Sequence, residues 1–156
     1  MSGKFNVREG LRAADIPMIA ELLREVTLST DSAFDGNAAG DEYFRTKYDP
    51  DRVRDWMEDI VFTAWTDDDL AGFGRARKDG FITHVFVRKE YRNLGLGSRI
   101  LGILEETLGS AGNGWLFLDA DPGTIGFYER NDWTRRESGT IGNHGLLLVP
   151  MEKELY

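Results

Sequence analysis

The stretch Val85-Phe86-Val87-Arg88-Lys89-Glu90-Tyr91-Arg92-Asn93-Leu94-Gly95-Leu96-Gly97-Ser98 constrains the fold more than any other part of this chain. Its first residues are β-branched or aromatic, which favours a buried strand. A charged segment and two nearby glycines follow, and then comes an apolar stripe at helical spacing, formed by Ile100, Leu101, Leu104 and Leu108. The pattern predicts a strand that passes through a glycine turn into a helix.

A helix that begins at such a turn presents backbone N–H groups that have no partner within the helix. Together with the helix dipole and the nearby cation Arg92, these groups are suited to bind a pyrophosphate. Two common phosphate motifs do not fit. The segment Gly97-Ser98-Arg99 lacks the lysine of a Walker A loop, and Ile100 stands where a dinucleotide fingerprint has its third glycine or alanine. A P-loop nucleotide hydrolase is therefore disfavoured.

The other segments alternate between strand and helix patterns, and no linker or internal repeat separates them. Three consecutive extended runs, joined by turns at Asp67-Asp68-Asp69 and Asp79-Gly80, predict an antiparallel meander. The order predicts an α/β (α+β) fold with a mixed sheet, in a single domain over residues 1–156. The predicted strands are Phe5 to Leu11, Ile60 to Thr66, Leu70 to Lys78, Phe81 to Arg88, Trp115 to Ala120 and extended segments around 133–138 and 144–152; the predicted helices follow Asp15, run from Pro50 to Ile60, cover Ile100 to Leu108 and follow Pro122.

Composition removes several classes of function. The chain of 156 residues has no cysteine and two histidines, so thiolate catalysis and cysteine-based or three-histidine zinc sites are excluded, and we expect no metal. A net charge of −8 disfavours nucleic acid as a partner. The longest apolar runs, such as Trp115 to Leu118, are far shorter than the ~20 residues that span a membrane. We therefore expect no membrane association and a cytoplasmic protein.

Read as Arg-x-x-Gly-x-Gly after Glu90-Tyr91, the glycine turn resembles the pyrophosphate loop of the GNAT superfamily of N-acyltransferases. The stretch Ile125-Gly126-Phe127-Tyr128-Glu129-Arg130-Asn131-Asp132-Trp133 is similar to the second signature of that family, and the segment from Leu148 to Leu155 to its closing strand. The resemblance covers nearly the whole chain. It implies a mixed, mostly antiparallel sheet of six to seven strands, splayed at the central strands and flanked by about four helices.

By this resemblance the cofactor, a co-substrate, is acetyl-CoA. The pyrophosphate is expected on the amides from Asn93 to Ser98, and the pantetheine arm along the backbone of Phe86 and Val87. Asp121 stands where many members carry an asparagine that contacts the cofactor, and Asp132 replaces a glycine in a left-handed turn. The expected cofactor-binding residues are Phe86, Val87, Arg92, Asn93, Leu94, Gly95, Leu96, Gly97, Ser98, Asp121, Phe127 and Tyr128.

The resemblance also implies that the amine attacks the thioester directly, with Tyr128 as the acid that protonates the departing thiolate; a packing role for this aromatic is the alternative. His84 has a titration range suited to the base, although a buried core histidine is an equal alternative. Asp119, Asp121 or water are further proton acceptors, and Asp121 is equally suited to cap the helix after Pro122.

The implied activity is N-acetylation of a primary amine on a small molecule or peptide, and a non-catalytic acyl-CoA-binding or sensing module is the alternative. Acidic and aromatic residues between Thr30 and Tyr48 would suit a cationic acceptor, but a solvated surface is the simpler reading. The sequence does not identify the acceptor, and it leaves a homodimer as one option.

Overall fold

The predicted meander forms the first of two sheets in the computed structural model, which describes residues 4–29, 50–136, 141–143 and 146–155. This sheet has four antiparallel strands in the order β1 (Asn6–Glu9), β2 (Ile60–Thr66), β3 (Asp69–Ala76) and β4 (Ile82–Val87). The turn before β3 contains Asp67 with a φ of 51°. The three predicted consecutive strands are therefore confirmed.

The second sheet is also antiparallel and contains β5 (Trp115–Ala120), β6 (Thr134–Arg135), β7 (Ile141–Asn143) and β8 (Leu146–Glu154). Its centre is β8, which pairs with each of the other three strands. The two sheets join at a parallel bridge between Phe81 and Phe117, where the Phe117 amide donates to the Gly80 carbonyl at 3.0 Å. Beyond this bridge, no backbone ladder joins β4 to β5 within the described residues. The sheet is thus splayed between its central strands, as expected.

Helices cover both faces of the first sheet and complete a single α/β domain. They are α1 (Ile16–Ser29), α2 (Pro50–Arg54), α3 (Leu96–Ser110) and α4 (Ile125–Arg130), with short 3-10 turns at Ala13–Asp15, Lys89–Tyr91 and Pro122–Thr124. On one face, α1 and α2 bury a cluster that contains Ile19, Leu23 and Phe73. On the other, α3 buries Ile100 and Leu104 against both sheets. In the described part of the chain, no helix is both long and apolar enough to cross a membrane.

The prediction that the second helix continues to Ile60 is wrong. The helix ends at Arg54, turns follow, and Ile60 is already the first residue of β2. Trp56 packs instead against Phe73, with ring centroids 6.0 Å apart, because the chain must turn there to enter the sheet. Its helical spacing therefore reflects burial and not a helix. The segment from Thr30 to Tyr48 and the start of the predicted last strand at His144 lie outside the described residues.

Two glycines of β3 let α3 approach the sheet closely. A Cβ atom on Gly72 would lie 2.8 Å from Cδ1 of Ile100, and one on Gly74 would lie 2.5 Å from Cγ2 of the same residue. Real Cβ atoms do not approach so closely, so any side chain here would push α3 away from the strand. The helix that begins at the glycine turn is thereby fixed over the middle of the sheet.

Candidate functional site

The free edge of β4 faces the gap between the two sheets. The Arg88 amide donates to the Ala71 carbonyl at 2.8 Å, and Phe86 is paired with Phe73 in the same register. In an antiparallel ladder, alternate residues point their N–H and C=O groups to opposite sides. The backbone groups of Val85 and Val87 therefore point away from β3 and into the gap, whereas those of Phe86 belong to the ladder.

The turn after β4 leaves several amides available at the start of α3. Gly95 is its N-cap residue, with a φ of 81° and no side-chain cap, and Asn93 also has a positive φ of 65°. The first intrahelical bond runs from the Arg99 amide to the Gly95 carbonyl at 3.0 Å. The amides of residues 96–98 therefore have no intrahelical partner, and with the helix dipole they form an anion site at the mouth of the gap.

Arg92 is held beside this anion site by its own strand. Its Nε donates to the Val87 carbonyl at 3.1 Å, and its terminal nitrogens make no hydrogen bond or ion pair to the residues described. One edge of the guanidinium is thus fixed, while the other keeps N–H donors for an anion. This carbonyl is one of the groups that point into the gap, so the turn and the strand edge form one continuous surface.

Phe127 and Tyr128 of α4 lie on the other side of the anion site. A Cβ atom on Gly97 would be 3.3 Å from two ring atoms of Phe127 and 3.7 Å from Cγ2 of Val87. A side chain at 97 would therefore fill the space between α3, α4 and the strand edge. The ring of Tyr128 packs 5.0 Å from that of Phe127 and 6.0 Å from that of Trp133.

Tyr128 is protonated at neutral pH. Burial, together with the negative charge of Asp121, raises the pKa of its phenol above the ordinary value of 10. Within the described chain, no residue accepts a hydrogen bond from its hydroxyl. Tyr128 thus combines a packed ring with a hydroxyl that can still donate to a ligand.

The turn that follows α4 confirms the expected left-handed conformation of Asp132, which has a φ of 72°.

His84 lies on the opposite face of the sheet from Tyr128 and is 4% exposed. Its ring is 4.9 Å from that of Trp56 and 5.3 Å from that of Phe86. The Thr83 hydroxyl donates to the Arg75 carbonyl at 3.0 Å, and its oxygen is 2.9 Å from Nδ1 of His84. A ring nitrogen of His84 therefore lies within hydrogen-bond distance of the hydroxyl of the preceding residue.

Asp119 lies near the end of β5, Asp121 is the first residue after that strand, and the two carboxylates differ in role. Asp121 accepts a hydrogen bond from the Gly123 amide at 3.0 Å, so it caps the short 3-10 turn before α4. Asp119 lies on the same face of the sheet as His84, and desolvation raises the pKa of its carboxyl while the nearby Arg136 opposes that shift. Asp119 is the carboxylate of the pair that is not used as a cap.

The structure brings most of the expected cofactor residues around one gap: Val87, Arg92, the turn amides, Gly97 and Phe127 with Tyr128. Sequence reasoning missed Val85, whose backbone groups share the edge with those of Val87; strand alternation counted from the pairing partner would have found it.

Among the residues that the structure describes, no cluster of three or more His, Asp or Glu side chains could hold a metal ion.

Comparison with known proteins identifies the family. The model of the acetyltransferase (GNAT) domain matches residues 29–155. No curated protein sequence matches the chain significantly.

Solved structures share the fold at low sequence identity. A GCN5-related N-acetyltransferase from Rhodopseudomonas palustris is 17% identical, with a TM-score of 0.84 over 99% of this chain and 98% of that one. PaiA N-acetyltransferase from Thermoplasma acidophilum, solved in complex with coenzyme A, is 17% identical, with a TM-score of 0.80 over 96% and 98% of the two chains. YncA from Salmonella typhimurium, solved with its cofactor acetyl-CoA, is 16% identical, with a TM-score of 0.73 over 97% and 94%.

Proposed function

Because this chain belongs to the GNAT acetyltransferase family, we propose that it transfers the acetyl group of acetyl-CoA to a primary amine. The observation that carries the proposal is the splayed gap between β4 and β5, which opens beside three uncapped amides of α3. A polar strand edge and an anion site lie together there. A long ligand with a phosphate group at one end and amides along its length requires both of these features.

The residues present fit such a ligand. The amides of residues 96–98 and the guanidinium of Arg92 would hold the pyrophosphate, and the backbone groups of Val85 and Val87 would pair with the pantetheine arm. Gly97 keeps the passage between them open, since a methyl group there would contact Phe127. Acetyl-CoA, when bound, supplies a thioester whose carbonyl carbon the amine attacks and whose C–S bond then breaks.

The candidate proton acceptors and the candidate donor lie on opposite faces of the gap. His84 and Asp119 lie on the face of α1 and α2, whereas Tyr128 packs with the cluster under α3. An amine that enters from the first face would give its proton to His84, Asp119 or water. Tyr128 would donate a hydrogen bond to the leaving sulfur; its raised pKa opposes full ionisation, so stabilisation of the developing charge is its main contribution.

Binding is tested with two alanine variants of the same helix. Gly102 lies in α3 with no atom near its Cβ position, so Gly102→Ala is the matched control for Gly97→Ala. We expect saturating CoA to raise the Tm of the wild type and of Gly102→Ala by about 5–10 °C, and ATP or NAD to raise it far less. We expect Gly97→Ala to fold normally and to lose at least about 10-fold in CoA affinity, because contacts with the uncapped amides are lengthened.

Turnover separates an enzyme from a sensing module. Thiol release from acetyl-CoA is measured against a panel of primary amines. Release that depends on both amine and protein supports acetyl transfer. If CoA binds tightly and no amine supports release, the protein is an acyl-CoA-binding module, and if ATP stabilises it more than CoA, the proposed ligand is wrong.

A further inference from the structure

A second cavity lies on the face of the sheet that carries His84. It has a volume of about 330 Å³, is open to solvent and is lined by Arg77, Asp79, Phe81, Phe117 and Arg136. Phe81 and Phe117 are the two residues of the parallel bridge that joins the sheets, so their side chains lie next to each other. The cavity is therefore built at the closed end of the gap, opposite the end with the anion site.

Two arginines lie over the two aromatic rings of this cavity. Cζ of Arg77 is 4.7 Å from the ring centroid of Phe81, and Cζ of Arg136 is 5.0 Å from that of Phe117. Stacking of this kind holds a guanidinium in one plane while its N–H groups stay available at the edge. The neighbouring rings thus place two guanidinium groups side by side over one apolar floor.

Each guanidinium has one carboxylate partner and keeps further donors. Nε and one terminal nitrogen of Arg77 bind Asp79 at 3.3 and 3.0 Å, and Nε of Arg136 lies 3.4 Å from Glu152. The side chains of both arginines are about half exposed, at 51% and 47%. Asp79 also accepts a hydrogen bond from the Phe81 amide at 3.2 Å, so an anionic ligand would share the guanidinium donors with the carboxylates and not displace them.

The strand β5 runs from this cavity toward the proposed reaction site. Phe117 and Asp119 point to the same face because they are two positions apart in the strand, a distance of about 7 Å. Asp119 is close enough to Arg136 for that cation to affect the pKa of its carboxyl. A cationic amine at Asp119 and an anion at the two arginines would therefore be held in line, with the apolar floor between them.

From this arrangement we propose that the acceptor is an amine that carries an anionic group, a carboxylate or a phosphate, at the far end of an apolar chain. Arg77 and Arg136 bind the anion, Phe81 and Phe117 contact the chain, and the amine points toward Asp119 and the gap. A chain of about four methylene groups spans the required distance. This inference rests on the proposed acetyl transfer and specifies its substrate class.

The test compares three amines of equal chain length: 5-aminopentanoate, 5-aminopentyl phosphate and pentylamine. With wild-type protein and acetyl-CoA, we expect at least one anionic amine to show a kcat/KM ten-fold or more above that of pentylamine. Arg77→Gln and Arg136→Gln should each lower kcat/KM for that substrate by about 10-fold to 100-fold, mainly through KM, and Arg77→Gln should lower kcat/KM for pentylamine far less than that. Arg54→Gln, which removes another exposed arginine paired with an aspartate, is the matched control.

The outcomes separate this inference from the function on which it rests. A preference for either anionic amine that both arginine variants abolish supports the proposal, and the preferred amine identifies the anion. If pentylamine is acetylated as well as both anionic amines, or if the arginine variants behave like Arg54→Gln, the proposal is overturned and acetyl transfer stands. If no primary amine of the broader panel supports thiol release, the proposed function itself fails.

Discussion

Substitution of the two glycines of β3 tests the close packing that places α3 over the sheet. In both positions an added Cβ would enter space now held by Ile100, which is fully buried. At Gly74 the clash is with Cγ2, 2.5 Å away, and this methyl is attached to Cβ and cannot rotate clear while the helix stays in place. At Gly72 the clash is with Cδ1, 2.8 Å away, at the flexible end of the side chain.

The magnitudes follow from this difference. Overpacking a core costs about 1–3 kcal/mol, and replacement of a strand glycine by alanine returns roughly 0.5–1 kcal/mol of conformational entropy. We therefore expect Gly74→Ala to lower the free energy of unfolding by about 2 kcal/mol and Gly72→Ala by about 1 kcal/mol. For a domain of this size, these values correspond to losses in Tm of roughly 4–8 °C and 2–4 °C.

A double-mutant cycle with Ile100→Val makes the prediction specific. Valine lacks Cδ1 but keeps both Cγ carbons, so it removes the shortest contact at position 72, where the approach to the Phe86 carbonyl at 3.1 Å stays tight, and retains the clash at position 74. Urea unfolding of the wild type and the five variants should give a favourable coupling of about 1 kcal/mol for Gly72→Ala with Ile100→Val, and a coupling near zero for Gly74→Ala with Ile100→Val. Equal rescue of both alanines, or a cost at Gly74 below about 0.5 kcal/mol, would refute the packing argument.

Two further substitutions concern Tyr128 and a polar cluster under α3. Tyr128→Phe should lower turnover by about 10-fold to 10³-fold with CoA affinity nearly unchanged; wild-type turnover under chemistry-limited conditions would assign the acid role elsewhere. The folded protein keeps the Tyr128 phenol proton above pH 10, where an unfolded tyrosine loses it. The free energy of unfolding should therefore fall as the pH rises from 10, by up to ~1.4 kcal/mol per pH unit. The fall should be less steep in Tyr128→Phe. The Glu105 carboxylate accepts hydrogen bonds from Lys153 and from Nε1 of Trp133, each at 2.9 Å. In urea unfolding, Glu105→Ala should therefore lower the free energy of unfolding by about 2–3 kcal/mol. A loss below about 0.5 kcal/mol would show that water replaces the carboxylate.

The sequence by itself determined the elements whose signals are local. The glycine turn after β4 was predictable because a helix start needs few residues, and Gly95 indeed has the positive φ that favours glycine. The three-strand meander was predictable for the same reason, since its turns at Asp67 and Asp79-Gly80 and its alternating residues lie close together in the chain. The sequence offered two roles for Asp121, a proton acceptor or a helix cap. The hydrogen bond that its carboxylate accepts from the Gly123 amide shows that it is a cap.

Only the tertiary structure decided which backbone groups face the gap. The register of β4 on β3 places Val85 and Val87 on the free edge and Phe86 in the ladder, and register depends on pairing with a strand from elsewhere in the chain. The helical spacing that extended α2 to Ile60 failed for a related reason. Burial of Trp56 under β3 produces an apolar residue at the same spacing as a helix face, and periodicity alone cannot separate the two.

The environments of the candidate proton carriers were likewise set by long-range packing. Nδ1 of His84 lies beside the Thr83 hydroxyl, which donates to a carbonyl of the neighbouring strand. The cavity with Arg77 and Arg136 exists because the residue after β3 and the residue after β6, 59 positions apart in the sequence, lie together at the junction of the two sheets. Contacts between residues so far apart in the sequence depend on how the whole chain packs. A local sequence pattern therefore cannot predict them.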